Sequence, residues 1–173
     1  MVSKGKKIVK QEMTPNGSGA ALIVRVSDAG AAKLLSDGLT TPFTMSIMKQ
    51  VPAGQGSMIS EKFGEFKETG ITTKHFDWVS MALSVTEASV SQGSVVITFT
   101  KEGRKLLKET FAKNRGGVIA IFVRGQLMSR KLVDTKDLRQ DTIQIDGIPG
   151  AELAQAFADD VNVGLHATFS PVR

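Results

Sequence analysis

The sequence predicts an α+β protein: a ferredoxin-like or split βαβ sandwich, with a mixed or antiparallel sheet and two or three helices packed on one face. Three observations predict it. Short β-branched segments of period two alternate with segments of helical period. The stretches VRVSDAGAAKLL (24–35) and ITFTKEGRKLL (97–107) repeat one order of features, an apolar strand, a capping Ser or Thr, an early glycine and paired leucines. The chain has 173 residues, 41% of them hydrophobic and 23% charged, enough apolar material for one ample core.

Taken in order, residues 1–19 form a basic arm that ends in the turn-rich spacer TPNGSG, and one domain follows over 20–173, divisible into 20–90 and 91–173. Residues 20–27 are a strand. Ala31, Leu34 and Leu35 share one face of the next helix, capped by Ser27 or Asp28 and stopped by Gly38. Phe43, Met45 and Ile47 alternate with polar neighbours as a second strand, and PAGQG (52–56) is a loop. The segment FGEFKETGITTKHFDW (63–78) shows no clear period and reads as short irregular pieces. Met81, Leu83 and Val85 mark a strand, and SQG (91–93) turns the chain into another over 94–100. Residues 101–115 are a helix with Leu106, Leu107, Thr110 and Phe111 inward.

GVIAIFV (117–123) is too apolar for a wet face, which predicts a central strand. Arg124-Gly125-Gln126 is a hairpin-type turn whose glycine takes positive φ, and it leads into LMSRKLV (127–133). TIQIDG (142–147) is a further strand. Pro149 opens a last helix, whose stripe is Leu153, Ala154, Phe157, Ala158 and Val161. LHATFSPV (165–172) closes the chain as a strand.

Charge narrows the functional classes. The net charge is +5, and it is unevenly spread: residues 101–139 hold eleven Lys/Arg and four Asp/Glu, residues 140–173 one and five. Such asymmetry orients copies in a homo-assembly or attracts an anionic surface. There is no cysteine, so disulfides and thiolate metal sites are excluded. No apolar run is long enough to span a bilayer. MVSKGKKIVK carries four lysines with no apolar stretch after them, which predicts no signal peptide and a cytoplasmic or particle-assembled protein.

No catalytic constellation is visible, and the expectation is a non-enzyme without cofactor or metal. His75 and His166 lack neighbouring ligands at metal spacing. PAGQGS lacks the Lys-Ser/Thr of a phosphate loop. Asp159-Asp160 and the pair Asp134 and Asp137 are read as solvated carboxylates or intersubunit salt-bridge partners. Aromatic residues around 63–78, Phe76 and Trp78 among them, are candidate partner anchors. Lys4, Lys6, Lys7 and Lys10 are candidate contacts for an acidic partner. Nucleic acid is the weaker alternative, because there is no tyrosine and only one tryptophan for stacking.

The segments FTKEG (99–103), AIFVRG (120–125), SRK (129–131), IQIDG (143–147) and AELAQAFA (151–158) resemble, in kind and order, the extracytoplasmic P1 region of the SecD translocase accessory family, its head subdomain above all. Residues 20–35 resemble, more faintly, an earlier base strand of that region. The resemblance implies a domain that holds an emerging polypeptide, here without the family's membrane helices and hence without proton-coupled pulling. Where the family has Asp before the turn glycine this chain has Arg124, and Ala-Pro is replaced by Arg130-Lys131. The expected function is therefore a protein-interaction or self-assembly module that presents a sheet edge and a basic turn. Arg124, Gln126, Met128, Arg130 and Lys131 are its contact residues, and its partners are proteins, copies of itself or an extended polypeptide.

Overall fold

Ten strands and three α-helices alternate along the residues that the computed structural model describes, 8–16, 19–26, 28–84 and 92–170. Contacts divide the chain into two units, residues 1–42 with 168–173, and residues 43–167.

In the first unit, β1 (Ile8–Asn16) pairs antiparallel with β2 (Gly19–Val26), Asn16 facing Gly19. The spacer expected over residues 1–19 is therefore a strand from Ile8 onward. Its turn residues mark only the tip of a hairpin, and backbone pairing with the β-branched β2 orders a sequence with little strand pattern of its own. Helix α1 (Ala29–Thr40) starts on Asp28, whose carboxylate accepts the Ala31 N–H at 2.7 Å. It runs through Gly38, because the Thr40 and Thr41 hydroxyls satisfy the Ser36 and Asp37 carbonyls near its end. None of its side chains is buried.

The second unit holds two sheets. Strands β3 (Met45–Val51), β4 (Met58–Ser60), β5 (Gly64–Thr72), β8 (Val118–Val123) and β9 (Gln126–Leu132) form one, in the order β4-β5-β3-β8-β9. Strands β6 (Phe76–Ser84), β7 (Gln92–Phe99) and β10 (Ile143–Pro149) form the other, in the order β10-β7-β6. A single core lies between them. It gathers Ile47 and Ile121 from the larger sheet and Val95 and Ile97 from the smaller. Leu107 and Phe111 of α2 (Lys101–Lys113) and Ala158 and Val161 of α3 (Ala151–His166) complete it. A satellite cluster of Met48, Phe66, Ala120 and Phe122 is packed by Met58, Phe63 and Leu127.

The architecture is α+β, and every strand pair among the described residues is antiparallel. A split βαβ needs both strands of each strand–helix–strand half in one sheet, and the two expected halves do not meet this. Among the described residues strand β2 pairs only with β1 while β3 joins the five-stranded sheet, and α2 carries the chain from one sheet to the other. Val24 and Ile97 accordingly lie in different units.

Other corrections are local. The segment from 63 to 78 is regular: β5, a 3-10 turn at Thr73–His75, and the start of β6. Its period was hidden by a β-bulge in each strand pairing, between Ile47 and Met48 and between Phe76 and Val79. Pro149 ends β10 rather than opening α3, whose N-cap is Gly150. Leu165 and His166 belong to α3, and residues 167–170 form no strand. Of the strand marked by Met81, Leu83 and Val85, the last residue lies outside the described residues.

The two sheets are tied by a tight joint. The chain crosses from β5 to β6 through Thr73–His75, and the His75 carbonyl accepts the Thr100 N–H at 3.0 Å. Thr100 caps α2 by accepting the Gly103 N–H at 3.1 Å. At Gly103 a Cβ would stand 2.1 Å from the His75 carbonyl oxygen, so only glycine lets α2 dock here. Gly103→Ala is expected to destabilise the fold by about 2–3 kcal/mol, to be read from urea denaturation of the two proteins.

Candidate functional site

A sheet edge exposes unpaired backbone N–H and C=O groups, so each must be paired, covered or kept short. The unit of residues 43–167 has four edges. The β4 edge is three residues long. The β6 edge is sealed by Asn162 of α3, whose Nδ2 donates to the Val79 carbonyl at 2.8 Å and whose Oδ1 accepts the Val79 N–H at 2.8 Å. That amide does for β6 what a neighbouring strand would do. Strands β9 and β10 each have one partner, β8 and β7, and their other edges carry no strand among the described residues.

Between these two strands lies a groove of about 270 Å³. Its apolar lining is Ile119 and Ile121 of β8 with Ile143 and Ile145 of β10, and Ser129 and Lys131 of β9 line it too. On β10, Gln144 donates to Asp146 at 2.7 Å. Arg130 also reaches the lining, and its guanidinium stacks 3.8 Å from the centre of the Phe63 ring.

The connection from β9 to β10 is braced by carboxylates. Lys131 Nζ lies 2.9 Å from Asp137 Oδ1, and the Asp137 side chain is almost wholly buried. Asp137 Oδ2 accepts the Asp134 N–H at 2.9 Å. Asp134 Oδ1 accepts the N–H groups of Lys136 at 2.7 Å and Asp137 at 3.2 Å. Those backbone donors hold the Asp134 carboxyl below its ordinary range, the bond from Lys136 foremost.

The predicted contact residues fall in different places. Arg130 and Lys131 reach the groove. Gln126 is exposed at the start of β9, and Met128, 44% exposed, sits at the bulge opposite Ile121 and Phe122. Arg124 is held internally: its guanidinium bonds both carboxylate oxygens of Asp160 and lies 5.0 Å from the Phe43 ring centre. Asp160, expected as a solvated acid or an intersubunit salt-bridge partner, is thus the partner of the basic turn within this chain. Both Arg124 and Gly125 have positive φ, 48° and 74°, as a two-residue hairpin turn of this hand requires.

Phe76 is corrected from surface anchor to core: it is 4% exposed and packs on Phe99. Trp78 is half-exposed and stacks on His166, whose Nε2 lies 2.6 Å from the Asp77 carbonyl oxygen. His75 is buried, with Nδ1 accepting the Thr72 N–H at 3.0 Å. Among the described residues no group of three or more His, Asp or Glu side chains is placed to hold a metal. Lys4, Lys6 and Lys7 lie outside the described residues, and Lys10 is known only as a backbone position in β1. Sequence reasoning missed Ser129, Ile143 and Ile145 as groove residues and Asn162 as an edge seal. The one available signal was an asparagine inside the apolar stripe of α3.

No family model matches the sequence, and no curated protein matches it. Solved structures do. One is described as a membrane component, SecDF, that enhances protein export: TM-score 0.54, 14% identity, covering 95% of this chain and 80% of that one. Another is SecDF in a super-membrane-facing form: TM-score 0.56, 13% identity, covering 96% of this chain and 24% of that one. This chain thus spans 24% of the length of that SecDF chain. The resemblance to SecD read from the sequence is borne out at the level of fold. No helix among the described residues is long and apolar enough to cross a membrane.

Two outcomes are expected at the groove wall. Lys131→Met leaves the buried Asp137 carboxylate without its cation and lowers stability by about 3 kcal/mol, whereas Lys131→Met with Asp137→Asn recovers most of the loss in denaturant titrations. A carboxyl whose folded pKa is depressed stabilises the fold above its unfolded pKa, and the effect is lost as pH falls through the folded value. The Tm difference between the wild type and Asp134→Asn is therefore expected at neutral pH and to vanish below the ordinary carboxylate range.

Proposed function

We propose that this domain is a non-enzymatic polypeptide-handling module that holds an extended segment in the groove between β9 and β10. Strand addition is the chemistry such a site offers: backbone groups on a free edge bind the segment, and an apolar lining takes alternate side chains. The observation that carries the reading is the treatment of the edges. One is cut short and one is sealed by Asn162, while the two that border the groove have no strand on their outer side among the described residues. The likeness to SecDF, a component that enhances protein export, supports protein partners in translocation.

The test is fluorescence anisotropy with a labelled, permanently unfolded polypeptide. Ser129→Trp fills the groove from its β9 wall and is expected to weaken binding about tenfold or more with an unchanged circular dichroism spectrum. A folded Ser129→Trp protein that binds like the wild type defeats the proposal.

A further inference from the structure

Helix α2 concentrates positive charge in a way its own stability does not favour. Lys101, Arg104, Lys105 and Lys108 fall at i, i+3, i+4 and i+7, which places them on one face, and all four are exposed. Like charges at these spacings repel. Lys101, Arg104 and Lys105 also crowd the first turns, where the helix dipole favours acids. Among the described residues none of the four has a carboxylate within ion-pair distance; the helix's own surface pair is Glu109 with Lys113. The charge extends sideways. Helix α2 packs against the turn carrying Lys74 and against the 3-10 turn Asp137–Arg139, next to Lys136, and Lys74, Lys136 and Arg139 are exposed.

We infer that this face binds an anionic membrane surface by charge alone. No exposed large hydrophobic residue lies on α2 or on the two turns beside it, so nothing there inserts into an apolar partner. The outward face of α2 has no aromatic side chain on which bases could stack, and no Asn or Gln to pair with adenine. What remains is a patch that spans α2 and the two turns beside it, rich in lysine. It is matched to a broad sheet of headgroups, which attracts each nearby cation and loses its hold as salt screens it.

The experiment is co-sedimentation of the full chain with vesicles, either pure phosphatidylcholine or with about a third of the lipid as phosphatidylglycerol. Binding is expected only to the anionic vesicles and is lost at about 0.3 M salt. Lys105→Glu with Lys108→Glu should weaken it about tenfold or more. Lys62→Glu with Lys67→Glu, which changes net charge equally on the β4–β5 hairpin, should leave it nearly intact. Equal losses in both double variants would overturn the proposal, since net charge alone would then suffice. So would binding to double-stranded DNA with none to anionic vesicles, which would assign the face to nucleic acid.

Discussion

An unpaired strand edge is the constraint around which residues 43–167 are arranged. Five strands and three strands share one core but exchange no ladder hydrogen bonds, so the sandwich must deal with four edges. On one side the chain links the sheets directly through Thr73–His75, and α3 closes β6 by offering Asn162 as a substitute strand. On the other side the link from β9 to β10 is longer and is braced by Asp134 and Asp137. The groove follows from this difference. A core clasped firmly on one side and spanned by a loop on the other opens where the loop is.

The polar groups inside this core serve the same division. Asn162, His75 and Asp137 are buried, and each is placed where a regular element ends or an edge would otherwise be bare. Burying such groups is costly without partners. Asn162 makes two bonds to one residue. The His75 Nδ1 accepts from Thr72, while its buried Nε2 has no hydrogen-bond partner and lies 3.7 Å from Glu102. Asp137 takes a backbone donor and the Lys131 cation. Together they fix where α3, the sheet crossover and the β9–β10 link must sit, a task for which apolar contacts are too indifferent to direction.

Much of the fold was legible where one signal acts alone. Helix α2 announces itself through Thr100, Leu107, Thr110 and Phe111, and β8 through an unbroken apolar run. Legibility failed where two signals compete. In β5 and β6 the bulges offset the pairing, by two residues and by one, and the period disappears from the sequence although the strands persist. At Pro149 the preference for a helix start loses to pairing with Gln92. The groove was legible only in part: Arg130 and Lys131 stand out as charges, but Ile143 and Ile145 look like any inward strand residues. Which strands end up at edges is decided by pairing between segments far apart in sequence.

The basic turn between β8 and β9 shows how a surface charge can be an internal device. Arg124 takes a positive φ that glycine or asparagine adopts more cheaply. That conformation persists only if the surroundings reward it. They do so from three directions. The Thr44 carbonyl accepts the Arg124 N–H at 2.8 Å, Asp160 takes the guanidinium with both oxygens, and the Phe43 ring lies beneath it. Phe43 in turn rests directly on Gly164, where a Cβ would stand 2.2 Å from the ring. The turn thereby pins the end of the five-stranded sheet to α3, the helix that seals β6. The charge that looked available to a partner is spent on holding the closed side of the sandwich shut, just as Lys131 is spent on the buried Asp137 at the groove wall.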